Sequence, residues 1–121
     1  FPLDKLSMAT SMLARCVDNS ISLAFIDILF QNRSKWYSDN AIAELKSLSK
    51  QAGLSGGDFD QCLNDQELLD QLIIQKENAI EEFQINSTPS FIINGKVISG
   101  NKPYSYFKSE IEKILDSYKG V

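Results

Sequence analysis

The fold is decided by residues 86–100, which read Asn-Ser-Thr-Pro-Ser-Phe-Ile-Ile-Asn-Gly-Lys-Val-Ile-Ser-Gly. Asn94-Gly95 stands between two short apolar runs, and a type I′ turn needs the positive φ angles that Asn and Gly tolerate best. Pro89 cannot donate to a strand ladder, so it belongs at a strand start or edge. The stretch predicts a tight β-hairpin, with the Thr88–Pro89 bond a candidate for the cis form. On local grounds alone, an ordinary helix–hairpin–helix connection explains it equally well.

Helical periodicity fills the sequence before the hairpin. Apolar spacing predicts a helix after a cap at Asp4, and the longest helix over roughly residues 66–83 after a cap at Asn64 or Asp65. Residues 21–30 are apolar on nearly every side, which is typical of a buried helix at the centre of a bundle. We expect a further helix that begins after Asp39 or Asn40 and ends at Gly53, with one apolar face formed by Ile42, Leu45, Leu48 and Ala52. A short helix is expected around Phe59, Cys62 and Leu63.

Two segments between these helices are predicted to be irregular. Residues 31–38 are expected to form a connection in which Trp36 and Tyr37 pack as a lid, which we favour over a ligand-binding role. Residues 55–58, which contain Gly56-Gly57, are expected to form a loop. This loop is no phosphate cradle, because no Gly-Lys-Ser/Thr follows it.

One more helix follows the hairpin. Pro103 suits its first turn, and an apolar stripe continues to the end of the chain. The stripe consists of Tyr104, Phe107, Ile111, Ile114, Leu115 and Tyr118. The predicted class is therefore mostly α (α+β), a helical bundle followed by one β-hairpin and a C-terminal helix. An isolated hairpin has only marginal stability in water. We therefore expect its short apolar strands to need neighbouring strands, and this sequence does not supply them.

Composition excludes several classes of function. The 121 residues are 43% apolar and 23% charged, which is enough to form a core. A net charge of −4 without a basic stripe argues against nucleic-acid binding. There is no histidine and no Cys-x-x-Cys, so we expect no metal site and no cofactor. No apolar run approaches the roughly 18–20 residues that a bilayer requires.

Residues 83–100, together with the final helix, resemble the C-terminal part of DsbA-like thiol–disulfide oxidoreductases. In that family the Thr-Pro pair carries the cis proline of the thioredoxin fold, and a hairpin and the last helix follow it. The opening Phe1-Pro2-Leu3, with the Ser7-containing helix, resembles the stretch that follows an earlier strand of that fold. The resemblance implies that residues 1–84 form the inserted helical domain, and that residues 85–121 belong to an incomplete thioredoxin-like domain.

The sequence departs from the family at its redox motif. Members carry a Cys-x-x-Cys upstream of the point that matches Phe1, and this chain has none. Since a thiolate of that motif performs the exchange, we expect no catalytic residue here and an inactive isolated chain. We interpret a chain that begins at Phe1 without Met as a processed or truncated fragment, so no leader indicates its compartment. The family implies a periplasmic or cell-envelope location.

By the resemblance, Thr88 and Pro89 are the candidate substrate-binding residues. In thioredoxin-like folds the backbone of the residue before the cis proline pairs with an extended substrate strand. The partners implied are exported proteins with cysteines and a membrane redox protein, with no nucleic acid. The plainer alternative is a proline that only starts a strand.

Cys16 and Cys62 are the only cysteines. A pair in an exported chain favours a structural disulfide, and some DsbA-like proteins have a second, non-catalytic pair in the helical domain. The alternative is two free thiols that pack as small hydrophobic side chains.

Two further patterns are weak. Glu77, Glu81 and Glu82 could be paired acid–base carboxylates, but a solvated helix face explains them better. The glycosylation sequons at Asn32 and Asn86 occur often by chance.

Three functions therefore compete at this stage. The first is a fragment of an envelope thiol–disulfide oxidoreductase that forms or shuffles disulfides, the second a non-enzymatic helical binding module, and the third a DsbA-like glutathione-dependent transferase or isomerase. The residue pair upstream of Phe1 discriminates the first from the third. Because the missing strands would leave an edge and the face of residues 104–118 uncovered, we also expect a dimer or a strand-exchanged assembly.

Overall fold

The computed structural model describes residues 4–119. The described residues divide between two compact units of the chain, Phe1–Lys76 and Glu77–Val121. The expected helical bundle, single hairpin and C-terminal helix are confirmed. The elements are α1 Lys5–Cys16, α2 Ser22–Gln31, α3 Arg33–Trp36, α4 Ala41–Gln51, α5 Gly56–Leu63, α6 Gln66–Phe83, β1 Ser90–Ile93, β2 Lys96–Ser99 and α7 Tyr104–Lys119. The predicted opening at residues 1–3 lies outside the described residues. No described helix is long and apolar enough to cross a membrane.

The helix ends in the first unit follow from their sequence. The Asp4 side chain accepts a hydrogen bond from the Ser7 backbone N–H at 2.7 Å, which satisfies a free donor at the start of α1. At the end of α4, Leu54 N–H donates to the Ser49 carbonyl at 2.9 Å, and Gly53 has a φ of 91°. This is the Schellman arrangement, in which a residue with positive φ lets the chain turn back over the last carbonyls. The caps at Asp4 and Gly53 are confirmed.

The core of the Phe1–Lys76 unit is built mainly from α1, α2, α4 and α5, and Trp36 of α3 and Leu72 of α6 are also buried in it. Its most buried large side chains are Leu13, Phe25, Leu45 and Phe59, each 1% exposed or less. They come from four different helices, so each helix contributes one apolar face to a shared interior. The unit is therefore a closed helical bundle with its own core.

Two expectations about α2 and α3 are wrong. In α2 only Phe25 and Leu29 are buried, whereas Leu23 and Phe30 are largely exposed. One face of α2 packs on the bundle, and nothing in the described chain covers the other. The apolar composition of α2 therefore predicted more burial than the structure shows. Residues 33–36 form α3 where a connection was expected. Trp36 is a core residue and no lid, because its indole N–H donates to the buried carbonyl of Leu29 at 2.7 Å.

Two smaller expectations also fail. Ile42 was placed on the inner face of α4, but it is 53% exposed. The expected loop at 55–58 is the start of α5, because the Ser55 hydroxyl caps the helix by accepting from Asp58 N–H at 3.1 Å. A serine followed by two glycines resembles a loop in sequence, yet the cap starts a helix there.

The Glu77–Val121 unit contains the end of α6, the hairpin and α7. Strands β1 and β2 pair antiparallel, with Phe91 opposite Ile98 and Ile93 opposite Lys96. Asn94 and Gly95 have φ angles of 51° and 84°, which confirms the predicted turn. Ile98 is the one buried apolar residue among the described residues of this unit. The assignment of residues 1–84 and 85–121 to parts of a larger fold stays a prediction.

Candidate functional site

The Thr88–Pro89 turn leads directly into β1. Thr88 and Pro89 are both solvent-exposed, and the peptide bond between them is cis. Two hydrogen bonds hold the turn: the Ser90 hydroxyl donates to the Ser87 carbonyl at 2.6 Å, and Gly100 N–H donates to the Pro89 carbonyl at 2.8 Å. The turn is thus fixed to the hairpin at both ends while its outer surface remains accessible.

Gly100 is the residue that the sequence argument did not assign to this site. It has a φ of 87°, a conformation that side chains disfavour, and from there its amide reaches the Pro89 carbonyl. Pro89 has no backbone N–H with which to donate a second hydrogen bond to Gly100, so this contact is the last hydrogen bond between the two sides of the hairpin. A glycine that closes a hairpin opposite a proline was the available sequence signal.

The ladder geometry leaves one edge of β1 open. The bond between Pro89 and Gly100 sets the alternation, so Phe91 and Ile93 form the bonded pairs with β2. Consequently the backbone N–H and C=O groups of Ser90 and Ile92 point away from β2. Within residues 4–119 the sheet has two strands, so no described strand pairs with these groups. The exposed Thr88 lies just before this edge.

One face of the hairpin packs on α7. The rings of Phe91 and Phe107 lie 4.6 Å apart between centroids, in a tilted arrangement. At the other strand, the Lys96 ammonium lies 3.3 Å from the Glu110 carboxylate, which is also 3.7 Å from Lys113. These contacts join α7 to both strands, whereas Ile92, whose side chain points to the opposite face of the hairpin, is 42% exposed.

The two cysteines lie in the other unit and are bonded to each other. Cys16 ends α1 and Cys62 lies in α5, and their disulfide joins the two helices with a Cα–Cα distance of 6.2 Å. Cys62 is 4% exposed, and no free cysteine occurs. Neither sulfur is therefore available as a thiolate in this state, and the disulfide ties together helices that already share the core.

The remaining candidate groups form no reactive site. Glu77, Glu81 and Glu82 are exposed on α6, as the solvated-face interpretation requires. Over residues 4–119, no cluster of His, Cys, Asp or Glu could hold a metal ion.

Comparison with known proteins decides the family. The sequence model described as Thioredoxin matches residues 1–113. The chain belongs to the thioredoxin family, in its DsbA-like thiol–disulfide oxidoreductase group. The resemblance, which was most specific in residues 83–100, is thereby confirmed.

The relatives are longer proteins. A protein-disulfide oxidoreductase of Rickettsia felis is 28% identical over 121 residues, 98% of this chain and 43% of the relative. One of Rickettsia typhi is 30% identical over 97 residues, 78% of this chain and 36% of the relative. The thiol:disulfide interchange protein DsbA of Yersinia pestis is 27% identical over 74 residues, 61% of this chain and 35% of the relative. The chain spans less than half of the length of each, and no solved structure matches it.

Proposed function

We propose that this chain is the substrate-facing part of a bacterial thiol–disulfide oxidoreductase whose Cys-x-x-Cys lies outside these 121 residues. The observation that carries the proposal is the match of residues 1–113 to the thioredoxin family together with relatives named as disulfide oxidoreductases. The exposed Thr88–Pro89 turn beside an open strand edge supports it, because an extended peptide can add to such an edge.

The chemistry assigned to the whole protein is disulfide exchange. A substrate thiolate attacks the Cys-x-x-Cys disulfide, one sulfur leaves as a thiolate, and a mixed disulfide forms. The second substrate thiolate then displaces the remaining cysteine, so the substrate gains a disulfide and the motif is reduced to a dithiol. In this scheme the backbone of Thr88 pairs with the substrate, and it positions the substrate cysteine without taking part in the exchange.

The isolated chain is inactive in this proposal. Its two cysteines are bonded to each other, lack the Cys-x-x-Cys spacing, and include the buried Cys62. A low-pKa, accessible thiolate is required for exchange, and this chain has no motif that would provide one.

The proposed location is the bacterial periplasm or cell envelope, where exported proteins with cysteines would be the substrates and a membrane redox protein the partner. The disulfide between Cys16 and Cys62 supports an oxidising compartment, since such bonds are rare in reducing ones.

The test compares this chain with the longer gene product in the oxidation of a reduced two-cysteine peptide. We expect turnover by the longer product and none by the chain. In the longer product, Thr88→Pro removes the backbone N–H and is expected to raise KM for the peptide by about 10-fold or more. Thr88→Val keeps that N–H and should raise KM much less.

Two outcomes would overturn the proposal. One is dithiol turnover by this chain that is lost in Cys16→Ser or Cys62→Ser. The other is an upstream coding sequence without Cys-x-x-Cys, which would remove the chemistry from the parent protein. Equal KM values for Thr88→Pro and Thr88→Val would reject the role of the Thr88 backbone alone.

A further inference from the structure

The segment that contains the Thr88–Pro89 turn differs in charge from the rest of the chain. Residues 83–109 contain three lysines, Lys96, Lys102 and Lys108, and no Asp or Glu, although the whole chain has a net charge of −4. The carboxylate side chains of the Glu77–Val121 unit lie before this segment on α6 and after it on α7: Glu77, Glu81, Glu82, Glu110, Glu112 and Asp116. The turn therefore lies in the basic part of an acidic chain.

Two of the three lysines are paired with carboxylates of α7. The Lys96 ammonium lies 3.3 Å from the Glu110 carboxylate, and the Lys108 ammonium lies 3.9 Å from that of Glu112. An opposite charge at such a distance offsets part of the field that a lysine presents to a ligand. The charges of these two lysines are therefore partly balanced within their own unit.

The third lysine, Lys102, lies beside the Thr88–Pro89 turn because of the hydrogen bond that ends the hairpin. Gly100 N–H donates to the Pro89 carbonyl oxygen at 2.8 Å, and Lys102 follows Gly100 by two residues. Consecutive Cα atoms are about 3.8 Å apart, so the Lys102 Cα lies at most about 12 Å from that oxygen. Lys96, by contrast, lies at the other end of the hairpin, opposite Ile93.

The positive charge of Lys102 is accessible to a ligand. Its side chain is exposed, and its ammonium lies 5.8 Å from the centroid of the Tyr106 ring. No carboxylate within residues 4–119 forms an ion pair with it. A contact with an aromatic face leaves the positive charge in place, so the ammonium can still attract an anion.

We infer that Lys102 selects peptide substrates that carry an acidic residue within about four positions of the reacting cysteine. This inference rests on the proposed function, in which an extended peptide pairs with the backbone of Thr88. Each residue of an extended peptide spans about 3.3 Å, so four residues cover the distance of about 12 Å between the turn and Lys102. In this scheme Lys102 determines specificity and takes no part in the exchange.

Charge complementarity explains why a carboxylate is the matching group. A Glu or Asp side chain of the peptide forms an ion pair with the ammonium, whereas a Lys or Arg side chain is repelled. Because an exposed ion pair is weak, the preference is modest and decreases with salt. The net charge of −4 acts in the opposite direction, since it repels an acidic peptide. A preference for acidic peptides therefore reports the local lysine and not the charge of the chain as a whole.

The test is the oxidation of reduced two-cysteine peptides by the longer gene product at about 20 mM salt, where charges are weakly screened. The peptides differ only in carrying Glu, Gln or Lys at one residue, placed in turn at each of the four positions on either side of the first cysteine. At the best position we expect kcat/KM to be about 3-fold higher with Glu than with Gln, and about 10-fold higher with Glu than with Lys, mainly through KM. Raising the salt to about 0.5 M should reduce both ratios to less than about 2-fold.

Two variants of Lys102 and one control show which lysine is responsible. Lys102→Met removes the charge and should bring the kcat/KM values for the Glu and Gln peptides together without lowering that for the Gln peptide. Lys102→Arg keeps the charge and should keep the preference. Lys119→Met makes the same change on an exposed lysine about 22 Å along α7 from Tyr104, and it should leave the ratios unchanged. Far-UV circular dichroism establishes that each variant retains its helices.

The possible outcomes separate this inference from the proposed function. Turnover without a preference for Glu at any position overturns the inference and leaves the proposed function in place. An equal loss of kcat/KM for all three peptides in Lys102→Met would mean that the lysine acts on the exchange itself, which also overturns the inference. A preference that Lys119→Met abolishes would reflect overall charge and overturns it as well. No turnover with any peptide overturns the proposed function and, with it, this inference.

Discussion

In the Phe1–Lys76 unit Phe25 and Phe59 are 1% exposed, whereas in the Glu77–Val121 unit Tyr104 and Tyr118 of α7 are 80% and 66% exposed. Both units have amphipathic helices, but only the first has enough of them to close a core around their apolar faces. A two-stranded hairpin and one helix offer too little surface to cover each other. The two units therefore differ in how far their own elements cover their apolar side chains.

The largest expected difference in stability between the two units comes from the disulfide, which lies in the Phe1–Lys76 unit. Replacing both cysteines, Cys16→Ala with Cys62→Ala, should lower the free energy of unfolding of that unit by about 4 kcal/mol in the chain-entropy account, because the bond closes a 46-residue separation. Trp36, the only tryptophan and a buried one, reports this unfolding by fluorescence. The amide protection of Phe91 and Ile98 in the hairpin serves as the control and should persist. Equal loss of protection in both units would mean that they unfold together.

A pair of matched leucines tests the contrast in packing. Leu45 is fully buried and Leu115 is 53% exposed. Leu45→Ala should cost about 3 kcal/mol through lost burial and a residual cavity, and Leu115→Ala less than about 0.5 kcal/mol at concentrations where the chain is monomeric. Urea titrations of the two variants measure both values. If the two costs are similar, α7 is covered within the monomer and the contrast between the units fails.

The smallest expected effect is local to the start of α1. The Ser7 backbone N–H, which donates to the Asp4 carboxylate, lowers the pKa of Asp4 below its ordinary value of 3.8. A lowered pKa in the folded state stabilises the fold above about pH 4, and that contribution is lost as the pH falls through the folded-state value. Asp4→Ala should therefore cost about 1 kcal/mol at pH 6 and distinctly less near pH 2.

The control for this effect is Asp39→Ala, since Asp39 precedes α4 without being its cap residue, and the cap Asn40 makes no side-chain hydrogen bond. Thermal unfolding followed at both pH values gives the two differences. A cost at Asp4 that does not change with pH would show that its charge does not contribute.

The features that could be predicted from the sequence were those that depend on residues close together in the chain. The Asn94-Gly95 turn and the cap at Asp4 were evident because each depends on a few neighbouring residues and their backbone preferences. The span of α6, residues 66–83, was also correct, because a long periodic stripe leaves little ambiguity. The failures came where distant contacts decide. Trp36 was expected to pack as a lid within a connection, since nothing nearby in sequence shows that its indole N–H reaches the Leu29 carbonyl in the core.

The site shows the same division. The sequence singled out Thr88 and Pro89, which lie within the residues 1–113 that the Thioredoxin family model matches. It favoured a structural disulfide between Cys16 and Cys62 over two free thiols without deciding between them, and it gave Gly100 no role. Both answers required the three-dimensional structure. The disulfide depends on whether α1 and α5 are neighbours, and the role of Gly100 depends on which backbone N–H faces the Pro89 carbonyl.

The sequence by itself determined the class of fold, the hairpin turn and the absence of a redox motif, because composition, turn chemistry and cysteine spacing are properties of the chain alone. Only the tertiary structure decided that α2 has one exposed apolar face, that no described residue of α7 is buried, and that Gly100 closes the turn at Pro89. Those facts depend on which surfaces meet, and a periodic pattern shows that a face is apolar without showing what covers it.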